Sequence, residues 1–159
     1  MVDVRRYPAS RRHPQYALAA LEQALGAAGI GYTHEVDLGG RREPRSDSPN
    51  NAWRSLSFRG YADYMESDAF RAALERVISS AGQSAIAVMC AEAVPWRCHR
   101  QLIADALVAR GYTVGHILSL DRIDAHRLTP FARVRSDGLV CYPAIPDQLD
   151  LTGMAGAEP

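Results

Sequence analysis

The chain has 159 residues, 47% hydrophobic and 23% charged, enough to bury a core and far from the composition of a disordered segment. Eighteen basic residues balance 18 acidic ones, so net charge drives it toward neither a polyanion nor an anionic membrane. No apolar run reaches the length of about 18 residues that a membrane helix needs.

Every basic residue is Arg, the side chain suited to planar, bidentate contact with anions. There are three cysteines, an odd count, and residues 1–20 are Arg-rich without an apolar leader segment. This predicts reduced thiols and a cytoplasmic protein.

In chain order, Val2-Asp-Val-Arg5 is a short β-prone run, followed by a basic loop to Arg12. Pro14 sits at a helix start, Leu18, Leu21, Leu25 and Ala28 form one face, and Gly29 ends it. Tyr32 to Leu38 reads as a strand closed by Gly39-Gly40. Residues 41–57 are polar and rich in breakers, a loop long enough to be functional. Phe58 to Met65 reads as a short helix, and Ser67 as the N-cap of another carrying Phe70, Leu74, Val77 and Ile78.

Ala85 to Met89 reads as a buried strand, and residues 95–110 as a helix with Leu102, Ile103, Ala106 and Leu107 on its apolar side. Thr113 to Leu118 is a further strand; Phe131–Arg135 and Leu139–Tyr142 form a hairpin around Ser136-Asp-Gly138. Alternating strands and helices predict a single α/β domain over residues 1–146, with a mostly parallel sheet and a C-terminal antiparallel hairpin. Residues 147–159 lose pattern and read as an irregular tail.

The densest chemistry lies where the strand ending at Met89 meets the next helix. Cys90, Glu92, Cys98, His99 and Arg100 crowd that junction, and ligands of open α/β sheets bind at carboxyl ends of strands. Cys90 and Cys98 are the candidate thiols, Glu92 and His99 the candidate acid/base groups. Arg5, Arg11, Arg41, Arg59 and Arg100, with Ser10, His34 and Tyr61, would line an anion pocket around them. A phosphatase loop is excluded, because Cys90 and Arg97 are one residue too far apart and no glycine opens the loop to an anion. No metal is expected: Cys98 and His99, as neighbours on a helix, would diverge by about 100°. No cofactor is expected either. Trp53 and Trp96 read as lids or core plugs, and His116 as a packed strand histidine.

Cys90-Ala-Glu92 followed by Cys98-His-Arg100 resembles the signature of the DUF488 family, bacterial proteins of unassigned function. The likeness extends to Val2-Asp-Val-Arg-Arg-Tyr-Pro8, Leu38-Gly-Gly40, Phe58-Arg-Gly-Tyr61 and Leu128-Thr-Pro-Phe131. It implies a small Rossmann-like, three-layer α/β domain and transfers no activity. Members of that family usually begin with a further strand and helix, so the expectation is a chain without the family's first βα unit, through a truncated or misassigned start or because another chain covers that flank of the sheet. A second copy covering that flank of the sheet, a homodimer, is one expectation that follows.

Three functional readings stand at this point. One is an enzyme for a small anionic or nucleotide-like substrate. Another is a nucleic-acid-associated module using the Arg-rich loops, which zero net charge and the absence of Lys disfavour. The third is a non-catalytic redox or partner-binding protein using Cys90 and Cys98.

Overall fold

The computed structural model describes residues 1–144, and these divide into two compact units, one of residues 1–41 and 66–103, the other of residues 42–65 and 104–144. The expected tail at 147–159 lies outside the described residues. The first unit is built on a parallel sheet in which β1 (Val2–Asp3) lies between β2 (Thr33–His34) and β3 (Val88–Met89). The amides of Val2 and Val4 donate to Ala87 and Met89 on one side, while the Met1 and Asp3 carbonyls accept from Thr33 and Glu35 on the other.

A central strand flanked on both sides must satisfy any charge it buries. Asp3, fully buried, accepts from Arg5 Nε and Nη2, from the Arg5 amide and from Tyr32 Oη. Burial pushes the Asp3 carboxyl up, but these donors outweigh it and leave the pKa below the usual 3.8. Burial first, and then Asp3, raise the Tyr32 phenol to about 12.

Helices follow the sequence pattern closely. A 3-10 turn at Pro14–Tyr16 leads into α1 (Leu18–Ala27), closed by Gly29 at φ 72°. The second helix of this unit, α3 (Asp68–Ala81), is capped by Ser67, whose Oγ accepts from the Phe70 amide. It buries Phe70, Ala73, Leu74 and Val77 at helical spacing. Arg76 on its outer side grips Glu35 through two bonds of 2.8 and 2.7 Å.

Three expectations change in this unit. The Tyr32–Leu38 strand stops at His34, because a 3-10 turn at Val36–Leu38 swings Leu38 into the core and leaves Val36 exposed. The strand ending at Met89 is half-exposed rather than buried, since β3 occupies the edge of the sheet. The helix expected from residue 95 begins as a separate 3-10 turn at Pro95–Arg97; Cys98 is extended, at φ −131° and ψ 145°, and α4 runs from Arg100 to Ala109.

In the second unit, α2 (Leu56–Tyr64) packs so closely that a Cβ on Gly60 would meet the Arg42 carbonyl oxygen at 2.2 Å. Asp63, near the end of that helix, orders the long polar loop. Its carboxylate accepts from Ser48 Oγ, Asn50 Nδ2 and the Arg45 amide. Trp53 is held by Phe58, Phe131 and Tyr142 with ring centroids 4.7, 4.9 and 5.4 Å away, as a core plug.

The region after α4 contains two antiparallel hairpins rather than one. The strand expected at Thr113–Leu118 is β4 (Gly115–Ser119), which pairs with β5 (Arg122–Ala125) and not with the parallel sheet. Its tight turn at Leu120-Asp121 carries no glycine, so the usual hairpin signal is absent. The second hairpin, β6 (Arg133–Val134) with β7 (Val140–Cys141), turns at Gly138, φ 80°, as expected. No helix among the described residues is long and apolar enough to cross a membrane.

Candidate functional site

The site occupies the carboxyl ends of the parallel strands in the first unit. Cys90 directly follows β3, and Cys98 and His99 form the entry to α4. Cys98 is extended and lies outside the helix. His99 Nδ1 lies 3.7 Å from Cys98 Sγ and 4.0 Å from Cys90 Sγ. The 100° divergence expected of two helical neighbours does not apply here.

The imidazole is fixed from behind. His99 Nε2 is 3.2 Å from the Val4 carbonyl oxygen, which can only accept, so Nε2 carries the proton and Nδ1 faces the sulfurs. Gly40 closes the other side: a Cβ there would stand 2.8 Å from Nδ1. Gly39 likewise lets its loop lie on the Arg6 backbone. The next residue, Arg41, takes the left-handed φ of 60°, a conformation that costs energy for a residue with a Cβ.

The two thiols are electrostatically unlike. Cys98 is pulled well below the ordinary thiol range, chiefly by a hydrogen bond from Cys90 and, against the cost of burial, by His99 and the Arg100 amide. Cys90 moves up, because its thiol donates a hydrogen bond to Cys98 and is itself desolvated. Arg100 completes the setting: its Nε is 3.4 Å from Cys98 Sγ, and its Nη2 bonds the Glu92 carbonyl oxygen.

Beside this cluster, Arg6 and Arg41 flank the exposed ring of Tyr7, their guanidinium carbons 5.8 and 5.9 Å from its centroid. Arg6 also bonds the Arg41 carbonyl oxygen. Arg6 was missed in the sequence because it sits in a run of arginines with nothing to single it out. Only the Gly39-Gly40 approach shows which arginine meets that loop. Trp96 is exposed, so it is not a core plug, and it stands two residues before Cys98.

Of the other expected site residues, Glu92 is exposed and reaches Arg100 through its carbonyl oxygen. Arg11 is exposed as well. Arg5 is not an anion clamp: it is buried, with Nε and Nη2 on Asp3 and Nη1 on the Tyr16 carbonyl oxygen. Ser10 Oγ accepts from the His13 amide in a turn, and His34 Nε2 bonds the Arg5 carbonyl oxygen. Both therefore serve the local backbone. Arg59 and Tyr61 belong to the second unit, where Arg59 Nη2 bonds the Trp53 carbonyl oxygen and Tyr61 is fully buried.

The second unit holds its own histidine cluster. Asp105, fully buried in α4, accepts from Tyr142 Oη at 2.9 Å, the Thr129 amide at 2.8 Å and His126 Nε2 at 2.9 Å. His126 Nδ1 is 2.8 Å from His116 Nε2. Burial first, and then Asp105, hold the Tyr142 phenol well above its usual range. His116 is thus the packed strand histidine expected, and His126 pins the segment after β5.

A family model described as a domain of unknown function, DUF488, matches residues 1–107, which include every residue of the Cys90–Arg100 site. No curated protein and no solved structure matches the chain. The likeness at Leu128–Phe131 lies beyond the matched residues. With two thirds of its length under that model and the Cys-Ala-Glu and Cys-His-Arg segments inside the match, the chain belongs to the DUF488 family.

Proposed function

We propose that this protein is an enzyme acting on a small anionic, nucleotide-like substrate at the carboxyl end of its parallel sheet, with Cys98 as the nucleophile. The observation that carries this reading is the placement of Cys98 Sγ and Cys90 Sγ at one oriented imidazole nitrogen, with Arg100 Nε on the Cys98 sulfur. His99, with its Nε2–H on the Val4 carbonyl, accepts the Cys98 proton at Nδ1 and pairs with the resulting thiolate. The sulfur then bonds an electrophilic carbon of the substrate. The leaving group departs with its electron pair and receives that proton from His99. Water or a second substrate releases the thioester or thioether-type intermediate and restores the thiol. Arg6 and Arg41 supply charge for an anionic group, and the exposed rings of Tyr7 and Trp96 suit a flat heterocycle.

The test is a thermal-shift screen of nucleotides, nucleosides and small carboxylates, followed by turnover assays on the compounds that bind. Cys98→Ser should abolish turnover while binding persists, and Arg6→Ala with Arg41→Ala should weaken binding of anionic compounds alone. Full turnover in Cys98→Ser would overturn the reading.

A second reading has one observation of its own: the donor atoms of Cys90, Cys98 and His99 all lie within 4.8 Å of one another, close enough for a dithiol redox pair. Joint loss of two thiols on mild oxidation by hydrogen peroxide would favour it. Three thiols remaining would remove it.

A further inference from the structure

The same three side chains support an inference that goes beyond the thiol reading and does not depend on it. The expectation of no metal rests on Cys98 and His99 diverging as helical neighbours, and the 3.7 Å between Cys98 Sγ and His99 Nδ1 removes that ground. What remains is a set of soft donors, two sulfurs and an imidazole nitrogen, drawn from the end of β3 and the entry to α4.

The spacing can be checked against coordination chemistry. Zinc lies about 2.3 Å from sulfur and about 2.0–2.1 Å from imidazole nitrogen, so a tetrahedral ion places N and S about 3.6 Å apart and two sulfurs about 3.8 Å apart. The N···S separations here are 3.7 and 4.0 Å, and no pair of donor atoms exceeds 4.8 Å. Closing the set around one ion asks for tenths of an ångström at the histidine and at most about 1 Å between the sulfurs.

Two features support the donors in the way metal ligands are supported. His99 gives its second ring N–H to the Val4 carbonyl, which fixes the tautomer and aims Nδ1 at the sulfurs. Arg100 Nε reaches Cys98 Sγ, an outer hydrogen bond to a ligand sulfur. Gly40 leaves beside Nδ1 the space that a Cβ would fill. Thiolate and imidazole donors select zinc-like ions over magnesium or calcium, which demand oxygen.

We propose that Cys90, Cys98 and His99 bind one zinc ion per chain in a three-ligand site whose fourth position is open to water or substrate. Three protein ligands with an open position is the arrangement of catalytic rather than structural zinc. The ion occupies the Cys98 sulfur, so the zinc-bound and thiol-reactive states exclude each other.

The experiment uses the whole protein, stripped with a chelator under reducing conditions and titrated with Co(II) as a spectroscopic stand-in, then with Zn(II) in competition. One equivalent of Co(II) should produce the intense thiolate charge-transfer and tetrahedral d–d bands, and one equivalent of Zn(II) should bleach them. Cys98→Ser and His99→Ala should lose the bands, whereas Cys141→Ser should keep them. Gly40→Ala should weaken binding by about 10–100-fold, as loss of outer support does.

Absence of the bands, or their persistence when Cys90 and Cys98 are both Ser, would overturn the proposal. Should a cysteine variant fail to fold, the unmodified chain still decides. One equivalent of Zn(II) should protect Cys90 and Cys98, but not Cys141, from iodoacetamide, and equal labelling with and without zinc would count against the site. Labelling of Cys98 in the metal-free protein reports on the thiol reading separately, so either proposal can fail alone.

Discussion

The chain holds two histidine clusters of opposite character, one in each unit. Around Asp105 every contact is short, 2.8 to 2.9 Å, and His126, Thr129 and Tyr142 each place a donor on the one carboxylate. Around His99 the contacts to sulfur are long, 3.7 and 4.0 Å, and the thiols differ in proton affinity. A buried polar network with all its bonds made specifies a fold. A cluster in which two thiols face one imidazole nitrogen at 3.7 and 4.0 Å holds the donors that a reaction needs. The lesson is that a histidine near a carboxylate is weaker evidence for a site than a histidine aimed between two thiols.

The largest expected effect tests the first half of that contrast. Asp105→Ala strands the donors of Tyr142, Thr129 and His126, and each stranded buried donor costs about 1–3 kcal/mol. Denaturant unfolding should show a loss of at least about 3 kcal/mol, with iodoacetamide labelling of Cys98 unchanged. A stability within error of the unmodified protein would break the contrast. Cys98→Ser should do the reverse: a loss of the fastest-labelling thiol, with stability altered by about 1 kcal/mol or less. Peptide mapping after brief alkylation measures it, and fast labelling moving to Cys141 would refute it.

Acid titration gives a smaller, directional effect. Asp3 has a folded pKa below its ordinary 3.8, so its contribution is complete above that value and lost as pH falls beneath it. Asp3→Asn should lower stability at neutral pH and flatten the dependence below pH 3.8, read by denaturant melts across that window. An unchanged slope would show that the Asp3–Arg5 pair contributes nothing. The smallest effect belongs to Trp96→Ala: the ring is exposed, so stability should move by less than about 0.5 kcal/mol. Binding of heterocyclic ligands in the thermal-shift screen should weaken, and a large loss of stability would mean that the ring packs after all.

The helices were legible because Leu18, Leu21 and Leu25 on α1, and Phe70, Leu74 and Val77 on α3, repeat at helical period, and because Ser67 caps where its position suggested. The β4–β5 hairpin was not, because Leu120-Asp121 turns without glycine or asparagine and Ile117 and Ile123 leave no buried alternation. Asp105 carried a faint signal, a carboxylate in an otherwise apolar helix run, but its partners come from residues 126, 129 and 142, far along the chain.

The sequence by itself determined the candidate site: Cys90, Cys98, His99 and Arg100 form one local segment, and a strand end followed by a helix start is a local pattern. It also determined the α/β class, since periodicity is a property of neighbours along the chain. Tertiary structure alone decided which groups meet. It brought Gly40 against His99, set Arg6 beside Arg41, and left Cys98 extended at the entry to α4. These outcomes depend on contacts between segments tens of residues apart and on one backbone torsion at a helix entry. Neither is written in spacing or composition.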